Sequence, residues 1–161
     1  MRILSGRTVI LGYHRIARVE RDPHLLCVDP DAFADQIDHL RRQVEVVPLS
    51  SLKERSSGRR VVITFDDGYA DNAGVGKTVL EAMSVPATFF VTAGKVGMRR
   101  EYWWDRLEAL LLSSSLDREY LEVELTGHRT LLDVRSDQAR QRAHAAIHAR
   151  LRQRHSREPA G

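Results

Sequence analysis

The run Val61–Phe65 (VVITF) constrains the fold more than any other stretch of this chain. It is rich in β-branched residues and apolar on both faces, the pattern of a parallel strand covered on two sides rather than one with a wet face. Three further short runs read as strands: TVILGY at 8–13, VEVVPL at 44–49 and ATFFVT at 87–92. Helical patterns separate them. Asp29 caps a helix with Pro30 at its first position, and Phe33, Ile37 and Leu40 give it one apolar stripe. Ser50 opens a short helix through Leu52. Residues 72–83 form another helix, with Val75, Val79, Leu80 and Met83 inward. Alternating strands and helices predict an α/β fold with parallel strands over residues 8–98.

After Gly97 the pattern changes. Trp103, Trp104, Leu107, Leu110 and Leu111 make an amphipathic helix, YLEVEL and HRTLLDV predict a β-hairpin over 120–134, and Ser136 opens a last, Arg-rich helix carrying Ala139, Ala143, Ile147 and Leu151. Residues 99–161 therefore read as a helix–hairpin–helix insertion rather than another strand–helix repeat. With 161 residues, the chain is one domain by length, large enough for a core but small for an enzyme barrel.

The net charge is +3, and only Lys53, Lys77 and Lys95 among the 25 basic residues are lysine. Seven arginines in 135–161 face only Asp137 and Glu158, leaving the rest of the chain net acidic. Such a tail can touch phosphates or anionic lipid, but a solvated helix face is the simpler reading, and no nucleic-acid partner is expected. Cys27 is the single cysteine, so no internal disulfide forms. The apolar run near the start is broken by His14 and Arg15, too short for a leader or a membrane span, so a cytoplasmic location is expected.

Asp66-Asp67-Gly68 follows the central strand directly. In α/β folds the carboxyl ends of strands are where ligands bind. Adjacent carboxylates there repel unless a cation or a shared proton offsets them, so one on a metal and one handling a proton is the functional reading. The alternative is that they cap the turn and the helix that follows. Downstream, GVGKT mimics a phosphate loop. The G-x-x-x-x-G-K-[ST] pattern, however, needs glycine at position 71, which is Asp71, and three aspartates in one loop would repel phosphate. Gly74 and Gly76 read instead as weak points within a helix.

TFDDGYADN, followed after twelve residues by VPATFFVTAG, resembles the polysaccharide deacetylase family (the NodB-like domain, carbohydrate esterase family 4). LGYHRI and EYWWDRLEALL resemble that family's first strand and an insertion of one branch, so the likeness spans about residues 8–112. It implies the N-terminal part of a distorted (β/α) barrel that removes acetyl groups from N-acetylated carbohydrate. By position, Asp66 resembles the general base and Asp67 the ligand of a divalent metal, usually zinc. His14 would line the same mouth to meet substrate, or else serve as a hydrogen-bonded histidine at the rim.

The family's two histidine ligands come from H-[ST]-x-x-H, which this chain lacks. HAAIH, with His144 and His148 at i, i+4, is the nearest match, but its Arg-rich helix disfavours a cation and reads as a solvated face. The expectation is therefore an incomplete metal site in a truncated deacetylase-type hydrolase. Its half-sheet would expose apolar edges that a partner or self-association covers. The rival expectation is an inactive remnant that survives as a binding or partner protein.

Overall fold

The computed structural model describes residues 7–113, 116–125 and 127–155. The chain divides into two compact units, Met1–Met98 and Arg99–Gly161.

In the first unit the elements run β1 (Thr8–Tyr13), β2 (Arg15–Ile16), β3 (Cys27–Val28), α1 (Pro30–Gln43), β4 (Glu45–Val46), a 3₁₀ turn (Leu49–Lys53), β5 (Arg60–Phe65), a π-helical turn (Asn72–Gly76) leading into α2 (Lys77–Ala82), and β6 (Thr88–Phe89). β5 is the hub. It pairs in parallel with all of β1, from Thr8↔Arg60 to Tyr13↔Phe65. On its other side it pairs with β4 at its start and β6 at its end. Every residue of β5 is buried, as an apolar run without alternation requires. Two of the expected strands are shorter than the sequence suggests: 44–49 contracts to 45–46 and 87–92 to 88–89. Pro48 lacks an amide donor to continue the first. The small parallel pair β2–β3, two residues each, has no counterpart in the sequence reading.

α1 begins as expected, with the Asp29 carboxylate accepting from the amides of Asp31 and Ala32. Phe33 and Ile37 are fully buried and meet Tyr13, Ile16, Val61, Ile63, Phe65, Leu80 and Val85 in one core. Aromatic rings dominate it. Tyr13 meets Phe33 edge-on at 5.0 Å, and Phe65 stacks on Phe89 at 4.6 Å. Arg60, also buried, donates to the carbonyls of Ser51 and Glu54, which ties the 3₁₀ turn to the start of β5.

The second helix differs from the sequence reading in its first turn. The π-helical stretch shifts the apolar register, so Val75 is exposed while Leu80 is buried. Gly76 is more than a weak point: an added Cβ would lie 3.4 Å from both Ile16 and Phe65, so its small size lets the helix approach the sheet.

In the second unit, α3 (Trp103–Glu108) runs into a π-helical turn (Ala109–Ser113), followed by β7 (Tyr120–Leu125), β8 (His128–Asp133) and α4 (Asp137–His155). β7 and β8 form an antiparallel hairpin with Tyr120 opposite Asp133. Leu111, Leu112 and Ile147 centre its core, with Leu107, Leu121, Val123, Leu132 and Leu151 packed around them. Ala139 and Ala143 are buried on α4. No helix among the described residues is long and apolar enough to cross a membrane.

Candidate active site

The residues that could act on a ligand gather at the carboxyl ends of β1 and β5. The last ladder bond carries the chain into the site: the Asp66 amide donates to the Tyr13 carbonyl at 2.9 Å. The backbone then reverses within three residues. The Gly68 amide donates to the Asp66 carbonyl at 2.8 Å, and the residue spanned, Asp67, has φ +67°. This i→i+2 bond over a positive φ is a γ-turn of the strained hand. A non-glycine residue held there costs about 1–3 kcal/mol, and such strain gathers where function requires a fixed side-chain direction.

Gly68 follows with φ +74°, and a Cβ on it would sit 3.0 Å from Val91 Cγ1 and 3.3 Å from Val91 Cα. Both conformation and space therefore demand glycine, which explains the third letter of DDG. Asp66 and Asp67 are each half-buried. A Cβ on Gly12 would lie 4.0 Å from Asp66 Oδ2, so the absence of a side chain there leaves room for that carboxylate over the end of β1. Thr64 borders the same space, 3.7 Å from that Cβ position, with its hydroxyl donating to the Leu11 carbonyl at 3.2 Å.

His14, the residue after β1, faces the same turn. Its Nε2 lies 4.0 Å from Asp67 Oδ2, with the two side chains 36% and 27% exposed. The structure thus brings together all three residues singled out from the sequence, His14, Asp66 and Asp67. It adds two that the sequence reading passed over. Asp71 binds Arg15 and the Ile16 amide. Asn72, fully buried, donates from Nδ2 to the His14 carbonyl at 2.8 Å. Burial lowers the Arg15 pKa, but the hydrogen bond and charge of Asp71 outweigh it and leave the pKa above its ordinary value. The signal for Asp71 and Asn72 was their place in TFDDGYADN, five positions beyond the aspartate pair.

The donor set does not fit a complete metal centre. Asp67 and His14 offer one carboxylate and one imidazole to a shared position. Among the described residues no three His, Cys, Asp or Glu side chains are grouped to hold an ion, whereas a zinc site needs at least three protein ligands.

His144 and His148 lie on α4 in the second unit, and their surroundings correct the expectation of a solvated face. His144 is 4% exposed, and its ring stacks on that of His148 at 6.0 Å. The His148 ring in turn lies 5.1 Å from Trp103. The pair is part of an aromatic packing layer.

GVGKT forms helix throughout. The Thr78 hydroxyl donates to the Gly74 carbonyl at 2.7 Å, and Lys77 pairs with Glu81 at 3.4 Å on the exposed face. No loop exists there to cradle a phosphate.

A parallel sheet whose strand ends carry an aspartate pair on a strained turn defines an α/β protein with its candidate site at the carboxyl edge. The polysaccharide deacetylase family model matches residues 53–150, and the chain belongs to that family. Comparison with curated proteins gives no match. Among solved structures, the chain is similar to IcaB from Ammonifex degensii, with 29% identity and a TM-score of 0.53 over 68% of this chain and 49% of that one. BC0361, a polysaccharide deacetylase from Bacillus cereus, shares the fold at 19% identity, with a TM-score of 0.52 over 68% of this chain and 37% of that one. A de-N-acetylase from Aggregatibacter actinomycetemcomitans matches at 18% identity and a TM-score of 0.50, over 81% of this chain and 64% of its own. The chain thus spans between about a third and two thirds of the length of these structures.

Proposed function

We propose that this chain carries the aspartate-bearing part of a hydrolase that deacetylates N-acetylated carbohydrate, a carbon–nitrogen bond that is not a peptide. The observation that supports this most is the Asp66–Asp67 turn itself. Two carboxylates stand half-buried at a strand end, one of them on strained backbone, 4.0 Å from a histidine. Membership of the deacetylase family supplies the reaction class.

In this reading Asp66 is the general base. It accepts a proton from the water that attacks the acetamide carbonyl; as the tetrahedral intermediate collapses, that proton is returned to the leaving nitrogen, the C–N bond breaks, and acetate and the sugar amine are released. Asp67 is the carboxylate assigned to a divalent metal, zinc first among candidates, whose remaining ligands the described residues do not supply. His14 lines the mouth beside Asp67, where a sugar hydroxyl would meet it. The parallel sheet is then one part of a distorted (β/α) barrel, with residues 99–161 as an insertion in it.

A second reading, a non-catalytic protein that binds a partner or a second copy, draws on the sheet edge. β1 ends the sheet among the described strands, and its Val9 and Ile10 are each about half exposed (51% and 52%). Strand edges of this kind invite another chain.

Acetate release from N-acetylglucosamine oligomers, assayed with and without added zinc, separates the two. Release that disappears in Asp66→Asn supports the hydrolase. Equal release from Asp66→Asn and the parent chain would sink it, and no release from either favours the binding protein.

A further inference from the structure

We propose that Asp71 is a positioning residue, a latch that holds the Asp66–Asp67 turn against the strand end bearing His14. Four consecutive residues, 13 to 16, are gripped by the segment 66–72. The Tyr13 carbonyl accepts from the Asp66 amide at 2.9 Å. The His14 carbonyl accepts from Asn72 Nδ2 at 2.8 Å. Arg15 Nε donates to Asp71 Oδ2 at 2.9 Å, and the Ile16 amide to Asp71 Oδ1 at 3.3 Å. The Arg15 guanidinium also lies 4.7 Å over the Tyr69 ring.

Asp71 is the one charged side chain in this grip that holds both a backbone group and a side chain of the opposing segment. Its carboxylate is only 16% exposed, so its charge-assisted bonds are less screened than those of a surface pair. Nor does it serve the helix it precedes: it stands at the N-cap position with helical backbone angles and no side-chain capping bond. The carboxylate is committed wholly to residues 15 and 16. Strained backbone persists only where its surroundings over-determine it. Asp67, at φ +67°, sits between the Asp66–Tyr13 bond and the Asp71 latch, two anchors on one strand end. Releasing the latch therefore frees the turn to relax and the His14 ring to leave Asp67.

The consequence for catalysis rests on the deacetylase reading, while the latch itself does not, and amide exchange measured by NMR keeps the two apart. In Asp71→Ala the Ile16 amide loses its acceptor, which is trivial. The informative amides are Asp66 and Gly68, which Asp71 does not touch. They are expected to exchange about tenfold faster, while Val62 and Ile63 in β5 stay within about twofold. Arg15→Gln, which leaves the Asp71–Ile16 bond in place, gives a smaller acceleration of about threefold and serves should Asp71→Ala fail to fold. Unchanged exchange at Asp66 and Gly68 overturns the proposal, and so does uniform acceleration that includes Val62 and Ile63. Where the parent chain releases acetate, Asp71→Ala lowers kcat and leaves KM near its parent value. Where it releases none, the functional reading fails and amide exchange still decides the latch.

Discussion

Two pairs of side chains in this protein are of residue types that can ligate a cation, and they stand on opposite kinds of backbone. Asp66 and Asp67 leave a buried strand through a turn with positive φ, half-exposed and aimed past its end. His144 and His148 lie along an ordinary helix, stacked with each other and with Trp103, His144 almost wholly buried. By spacing alone the histidines are the better match to a ligand motif. The aspartates differ in backbone and exposure: Asp67 sits at positive φ and both are half-buried at a strand end, the setting in which strained functional residues are commonly found.

The most direct way to break this contrast is to neutralise each pair. Asp66→Asn is expected to lower acetate release by about 10²–10⁴-fold, the usual contribution of a general base, whereas His148→Ala leaves it unchanged, as an acetate assay of both variants would reveal. A comparable loss in His148→Ala would move the site to the helix. Stability comes next. Phe65→Ala removes the ring on which Tyr13, Phe33 and Phe89 pack and should cost about 3–5 kcal/mol in urea unfolding of the whole chain.

Gly68→Ala sharpens the case for strain. A Cβ at positive φ against Val91 should cost about 1–3 kcal/mol. Val91→Ala in the same chain should restore only part of that, since the backbone of residue 91 still stands 3.3 Å from the new methyl group. Full restoration would show that space alone, without conformation, selects glycine there. His144→Ala, by contrast, should cost about 1–3 kcal/mol through lost packing and nothing in acetate release, the signature of a core residue.

The smallest effect is acid titration. The Arg135 hydrogen bond holds the Asp133 carboxyl down at about 2, and Arg18 followed by the Asp31 amide lowers Asp29. Both have folded pKa values below their unfolded ones. Their stabilisation is therefore complete above about pH 4 and lost as the pH falls through the folded values. Asp133→Asn should flatten the unfolding midpoint between pH 4 and 2, a small change because the group is fully exposed.

Much of the first unit was legible because its signals are local. VVITF lacks alternation and is buried throughout, Asp29-Pro30 starts α1 by cap chemistry, and Phe33 and Ile37 keep the helical period into the core. β2 and β3 escaped because two residues cannot display a period. Val75 was misplaced because a π-helical turn shifts the register in a way that no 3.6-residue template anticipates. At the site, the sequence indicated which residues gather at the strand end, His14, Asp66 and Asp67. It held no sign of the positive φ at Asp67, nor of the ties from Asp71 and Asn72 to residues more than fifty positions away. Those depend on how β1 and β5 meet, which is tertiary geometry. The burial of His144 is hidden for the same reason, since an Arg-rich helix looks solvated until its packed side is known.

The parallel register of β1 with β5 also has a meaning in time. Thr8 pairs with Arg60, so on the ribosome the first strand waits for some fifty further residues before its partner emerges. At about 5–20 residues per second that is roughly 3–10 s during which TVILGY has no sheet to join. In the nascent chain, the segment that later supports the aspartates is thus an apolar run that a chaperone would have to shield until β5 is made.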